Sequence, residues 1–138
     1  MSPRILIADD SAAVRSALKT CLELNPGFDV CGEAENGEMA VQLVHQLIPD
    51  IVLLDYSMPI MDGLEAARQI AAFAPRTTMF LFTMHASERL YKIAETIGVR
   101  AIVSKGVGGI QEIVKLIATL HRDLDAGKRI DSMDEDPR

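Results

Sequence analysis

Cysteine is scarce in this chain, with Cys21 and Cys31 the two among 138 residues. They show neither a Cys-x-x-Cys spacing nor a histidine at ligand spacing, so a cysteine-built metal site has no framework. They read as reduced thiols in the core of a cytosolic chain, with a disulfide between them as the alternative. Clusters of lysine and arginine are missing as well, and the formal net charge is −6. That balance argues against direct binding of nucleic acid. No apolar run approaches the roughly 20 residues that cross a bilayer. No basic-then-apolar start marks a secretory signal, and a cytoplasmic location with no membrane partner is expected. There is no internal repeat. No glycine-rich loop follows the first apolar run, which removes the usual cradle for the phosphates of a nucleotide.

What is present is a hydrophobic content of 49 % in a chain long enough for one domain with a real core. Apolar runs at Ile5 to Ala8, Phe28 to Cys31, Ile51 to Leu54, Met79 to Phe82 and Ala101 to Val103 predict five strands. Segments with helical spacing lie between them. Val14, Ala17, Leu18, Cys21 and Leu22 make one apolar stripe, and Ser11 is placed to cap it. Ala40, Val41, Val44, Leu47 and Ile48 make a second, after Asn36. Leu64, Ala67, Ala71 and Ala74 make a third, with Asp62 as cap and Glu65 where a capping box puts its acid. Leu90, Ile93, Ala94 and Ile97 form a fourth, ended by Gly98. Ile110, Ile113, Val114, Ile117, Leu120 and Leu124 form the last. Strict alternation of strand and helix predicts a three-layer α/β/α sandwich, with the first strand near the centre of a parallel sheet. Beyond Asp123 acids outnumber bases and apolar residues thin out. The domain is therefore expected to occupy 1–124 and residues 125–138 to form an acidic, disordered tail.

In open parallel sheets, ligands bind beyond the carboxyl ends of the strands. The first run ends in Asp9 and Asp10, the third in Asp55, the fourth in Thr83, and the fifth in Ser104 and Lys105. The second, ending around Glu33 to Glu35, has no such partner. Side-by-side acids near a low-dielectric core repel, so Asp9 and Asp10 need solvent or a cation. Three carboxylates at one edge suit a hard, oxygen-preferring ion such as Mg²⁺ or Mn²⁺. Lys105 and Thr83 are then available to phosphoryl oxygens, and a free carboxylate is available as nucleophile.

These residues resemble a known family. The stretch L-L-D-Y-S-M-P-I-M-D-G, with Asp9-Asp10 upstream and Thr83 and Lys105 downstream, is similar to a response regulator receiver domain of two-component signalling. The likeness runs from about Arg4 to about Leu124. It implies the flavodoxin-like (βα)5 fold with sheet order 2-1-3-4-5. It also implies that Asp55 is the phosphoacceptor, phosphorylated by a sensor histidine kinase or a phosphotransfer protein. Asp10, the Asp55 carboxylate and the backbone carbonyl of Ser57 would bind Mg²⁺, and Asp9 would hold it through water. Thr83 would move toward the phosphoryl group and Lys105 would pair with it, while Pro59 and Gly63 shape the loop between. The wording S-M-P-I-M-D-G-L-E-A-A-R and F-T-M-H is most similar to the branch that often carries a C-terminal LuxR-type helix-turn-helix. The chain is thus expected either to stand alone or to be the receiver fragment of a longer DNA-binding regulator.

Some positions depart from the family pattern. Ile102 stands where an aromatic switch residue is common, Gly106 where a proline is common, and Met84 where a small residue is common. Ser57 and His85 occupy positions that flank the path of the hydrolytic water, and His85 is expected to tune the lifetime of an acyl phosphate. Met58, Met61, Met79 and Met84 gather near the expected site as gap fillers. His45 and His121 read as surface or boundary residues. The expected output is protein–protein contact or homodimerisation through helix 4, strand 5 and helix 5, including Arg89, Tyr91 and Lys92. The protein is not expected to be an enzyme. A haloacid-dehalogenase-type phosphohydrolase would need a second acid two residues after the first, and a cap domain. A receiver-like module that binds partners without phosphorylation is the remaining alternative.

Overall fold

The computed structural model describes residues 2–120. The expected tail at 125–138, together with His121 and Leu124, lies outside the described residues. Five strands, β1 (Arg4–Ala8), β2 (Asp29–Ala34), β3 (Ile51–Asp55), β4 (Thr78–Thr83) and β5 (Ala101–Ser104), alternate with helices. The helices are α1 (Ala12–Glu23), α2 (Gly37–Leu47), α3 (Gly63–Phe73) and α4 (Glu88–Ile97), followed by α5 at 109–120. All strand pairs are parallel and the order is β2-β1-β3-β4-β5, as the family resemblance implies.

The two-residue period of the strands builds two separate cores. Leu6, Ala8, Val52, Leu54 and Leu81 face α2, α3 and α4, where they meet Val44, Ile70 and Leu90. Ile5, Ile7, Leu53, Phe80, Phe82 and Val103 face the other way, onto Leu18 and Leu22 of α1 and onto Ile113 and Ile117 of α5. Side chains of this size each contribute on the order of 1.5–3 kcal/mol when fully buried. Both faces of the sheet are therefore sealed, and only its edges and strand ends reach solvent.

The caps follow the sequence reading. Ser11, Asn36 and Asp62 accept from the backbone N–H groups of Val14, Met39 and Glu65 at 3.2, 2.7 and 2.8 Å. Ser87 caps α4 in the same way, and Gly98 ends it with a left-handed φ of 106°. The second half of the expected capping box does not form. The Glu65 carboxylate accepts from Gln69 and pairs with Arg68 instead, on its own helix.

Two further expectations change. β2 runs from Asp29 to Ala34, past the predicted end at Cys31, because a register shift puts Ile5 opposite Val30 but Leu6 opposite Gly32. The extra residue, Cys31, breaks the alternation on which the sequence reading depended. Met79 lies at the start of β4, buried and opposite Val52, so it belongs to the core and not to the strand-end cluster. Cys21 and Cys31 are free thiols, both half-buried, and burial pushes the Cys31 thiol up. His45 is exposed as expected, with its ring stacked on Phe73 at 3.6 Å.

Candidate functional site

Parallel register carries four strand ends to one edge. Ala8 lies opposite both Ala34 and Leu54, Asp55 opposite Phe82, and Thr83 opposite Ser104. The residues at or just after these ends are Asp9, Asp10, Asp55, Thr83 and Lys105. All five sequence-predicted side chains therefore arrive at the same rim.

Asp55 closes β3 and is 4 % exposed. Its Oδ1 accepts from the backbone N–H of Ser57 at 3.3 Å and meets Lys105 Nζ at 3.0 Å. Burial raises its pKa, Lys105 opposes that rise, and the neighbouring Asp9 charge adds to it; the net shift is upward. Asp9 is 1 % exposed. Its Oδ1 accepts from Ser11 N at 2.8 Å, and its Oδ2 is 2.7 Å from Lys105 Nζ. The Lys105 ammonium is the one partner of this buried oxygen among the described residues. Asp10, the next residue, is exposed. The adjacent acids thus have opposite surroundings, one enclosed beside a cation and one in water.

Lys105 follows β5 and inserts its side chain between the two enclosed acids, with its ammonium 5.6 Å from the centre of the Phe82 ring. Burial works against its charge, but the Asp9 and Asp55 carboxylates outweigh burial and hold its pKa above the ordinary lysine value. Its backbone N–H donates to the Thr83 carbonyl at 2.8 Å, which ties the base of the side chain to β4. The Thr83 hydroxyl oxygen accepts from His85 N at 3.2 Å. Its own proton is then free to point elsewhere.

Ligand oxygens of Asp9, Asp10 and Asp55 all lie within 4.8 Å of one another. Beside them opens a recess of about 460 Å³ lined by Asp10, Asp55, Ser57, Thr83, His85 and Lys105, with Tyr56 and Met84 at its sides. Two buried carboxylates beside an exposed third acid make an all-oxygen donor set fitted to a small divalent cation. The loop after Asp55 is held close. Gly63 N donates to Tyr56 O at 2.8 Å, and a Cβ at position 63 would collide with the Asp55 carbonyl. That close approach is the physical content of the Asp62-Gly63 pair. Ile102 is half-buried against the α2–α3–α4 side of the core, and Tyr91, Arg89 and Lys92 are exposed on α4.

Sequence reasoning missed two groups. Glu33 does not face the recess; it pairs with Arg15, whose guanidinium also donates to the Asp9 carbonyl. The signal was an arginine six residues after Asp9, on the first turns of α1. Tyr56 was passed over because only its place beside Asp55 brings it to the recess.

The family model described as the response regulator receiver domain matches residues 5–118. The transcriptional regulatory protein YdfI of Bacillus subtilis is 51 % identical over 67 residues, covering 49 % of this chain and 32 % of that protein. A protein-glutamate methylesterase/protein-glutamine glutaminase of Oleidesulfovibrio alaskensis is 34 % identical over 123 residues, covering 88 % of this chain and 30 % of that protein. The chain thus spans about a third of the length of these curated relatives. Among solved structures, the signal receiver domain of the putative response regulator NarL from Mycobacterium tuberculosis superposes with a TM-score of 0.80 at 29 % identity, covering 88 % of this chain and 97 % of that one. The response regulator domain of Thermotoga maritima CheB superposes with a TM-score of 0.79 at 27 % identity, covering 89 % and 96 %.

Proposed function

This chain belongs to the response regulator receiver domain family, and on that premise we propose that it is a phosphorylation-controlled switch with Asp55 as its phosphoacceptor. The observation that carries the reading is the Asp55 carboxylate at the tip of β3. It opens on the recess, with Lys105 and the Asp9–Asp10 pair around it. An Asp55 oxygen attacks the phosphorus of a phosphohistidine on a sensor histidine kinase or phosphotransfer protein. A P–O bond to Asp55 forms, the N–P bond breaks, and the histidine leaves as imidazole. Asp10, Asp55 and the Ser57 carbonyl would hold Mg²⁺, with Asp9 supporting it through water, and the ion would supply positive charge to the phosphoryl oxygens. Lys105 exchanges part of its contact with Asp55 for a phosphoryl oxygen, and the free Thr83 proton donates to another. Ser57 and His85 stand beside the incoming water and set how long the acyl phosphate lasts.

The added charge of about −1.5 to −2 at Asp55 draws Thr83 and Lys105 inward. Thr83 ends β4 and Lys105 follows β5, on the segments that lead to α4 and α5, so the output is a changed protein-binding or dimer face across α4, β5 and α5. The domain itself is regulatory and not a catalyst, and its thiols suit the cytoplasm. The relatives favour a second reading of the whole protein: this chain is the receiver portion of a longer regulator, coupled to a DNA-binding or other effector domain.

The test is incubation with Mg²⁺ and a small phosphoramidate or acyl phosphate. The expected result is one alkali-labile phosphoryl group per chain, absent in Asp55→Asn and absent without divalent cation. Turnover of many donor equivalents would point to a phosphatase. Absence of any adduct would point to a module that works unphosphorylated.

A further inference from the structure

Arg15 is placed where a cation is disfavoured. It lies in the first turns of α1, where the exposed N–H groups give the helix a partial positive charge. Its side chain is nonetheless largely enclosed, at 16 % exposure. Two contacts hold it there. Nη1 donates to the backbone carbonyl of Asp9 at 2.6 Å, and Nε pairs with Glu33 Oε1 at 3.0 Å near the end of β2. The Asp9 carbonyl belongs to the peptide that joins Asp9 to Asp10. Its orientation sets the direction from which both carboxylates leave the chain. Asp9 is steadied in other ways, through Ser11 N, Lys105 and its own N–H on Ala34 O. Asp10 is exposed, and the peptide is what aims it.

We propose that Arg15, backed by Glu33, is a positioning residue that locks the Asp9–Asp10 peptide and so sets the affinity of the acidic pocket for a divalent cation. The proposal rests on the reading of that pocket as a cation site. Arg15 touches neither the ion nor the phosphoryl group; it acts through the peptide it holds. Charge and geometry make opposite forecasts here. As a nearby positive charge, Arg15 repels the ion, so its removal should tighten binding. As a clamp, its removal should loosen binding.

The experiment measures Mn²⁺ binding to the full chain by counting free ion with electron paramagnetic resonance, alongside thermal melts. Arg15→Ala is expected to weaken Mn²⁺ roughly tenfold, the usual scale for groups that orient metal ligands from behind. Arg15→Lys keeps the charge but cannot reach both partners with a planar fork, and is expected to weaken binding several-fold. Glu33→Gln, which loosens the guanidinium from behind, is expected to do the same. These last two decide the matter if Arg15→Ala does not fold. Binding by these variants as tight as wild type, or tighter, overturns the clamp. Failure of the wild-type chain itself to bind Mn²⁺ overturns the reading of the pocket, and the clamp with it.

Discussion

Asp55 is held at an energetic disadvantage when ionised, and the disadvantage has a measurable sign. Burial leads the upward shift of its pKa from the ordinary 3.8. The folded chain therefore binds that proton more tightly than the unfolded chain does. Stability linked to this group is fully present below pH 3.8 and is lost as pH rises through the folded-state value. Asp55→Asn removes the group that loses it. The variant is expected to exceed wild type in urea resistance at pH 7 and to approach it at about pH 2.8, roughly one unit below the ordinary value, where the group is mostly protonated in both states. Equal midpoints at pH 7 would contradict this account. The sequence exposed the identity of this cluster through the spacing of Asp9, Asp55, Thr83 and Lys105. It did not reveal that Lys105 already bridges both enclosed acids, because the side-chain path across two strand ends is a matter of register and not of order.

At the scale of elements, the turn from β3 into α3 is the tightest joint near the recess. Gly63 lies so close to the Asp55 carbonyl that any Cβ must displace the backbone at the end of β3. Gly63→Ala is expected to cost about 2–3 kcal/mol in denaturant unfolding, as overpacking of a closed site does. Asp62→Ala, one residue earlier, loses only a cap and should cost about 1 kcal/mol. A reversed ranking would show that the loop yields easily and that the glycine is not held by contact. Helix stripes and three of the four side-chain N-caps were readable from residue types alone, because capping is local chemistry. The end of β2 was not, since a bulge at Cys31 flips the pattern, and neither was the Arg15 bridge between α1 and β2. Both depend on partners distant in sequence.

At the scale of the whole molecule, the sheet divides the hydrophobic interior into two compartments that share no side chains. Leu18 on one side and Val44 on the other are each fully buried. Leu18→Ala is expected to cost roughly 2–5 kcal/mol and Val44→Ala somewhat less. With no common neighbour, the double variant should lose the sum to within about 0.5 kcal/mol in chemical denaturation. A large coupling between them would mean that the strands transmit packing strain from face to face. The division into layers was legible in the sequence from alternation alone. Which strand lay beside which came from the family resemblance, since strand order leaves no local trace.

The placement of Lys105 has a consequence beyond the recess. Many proteins that gather acids around an ion depend on that ion to fold at all. Here the chain carries its own tethered counter-charge, fastened by the β4–β5 pairing and seated between Asp9 and Asp55. Assembly of the fold is thereby insulated from the mineral content of its surroundings. Folding needs no ion to neutralise those two enclosed acids, because the lysine already stands between them.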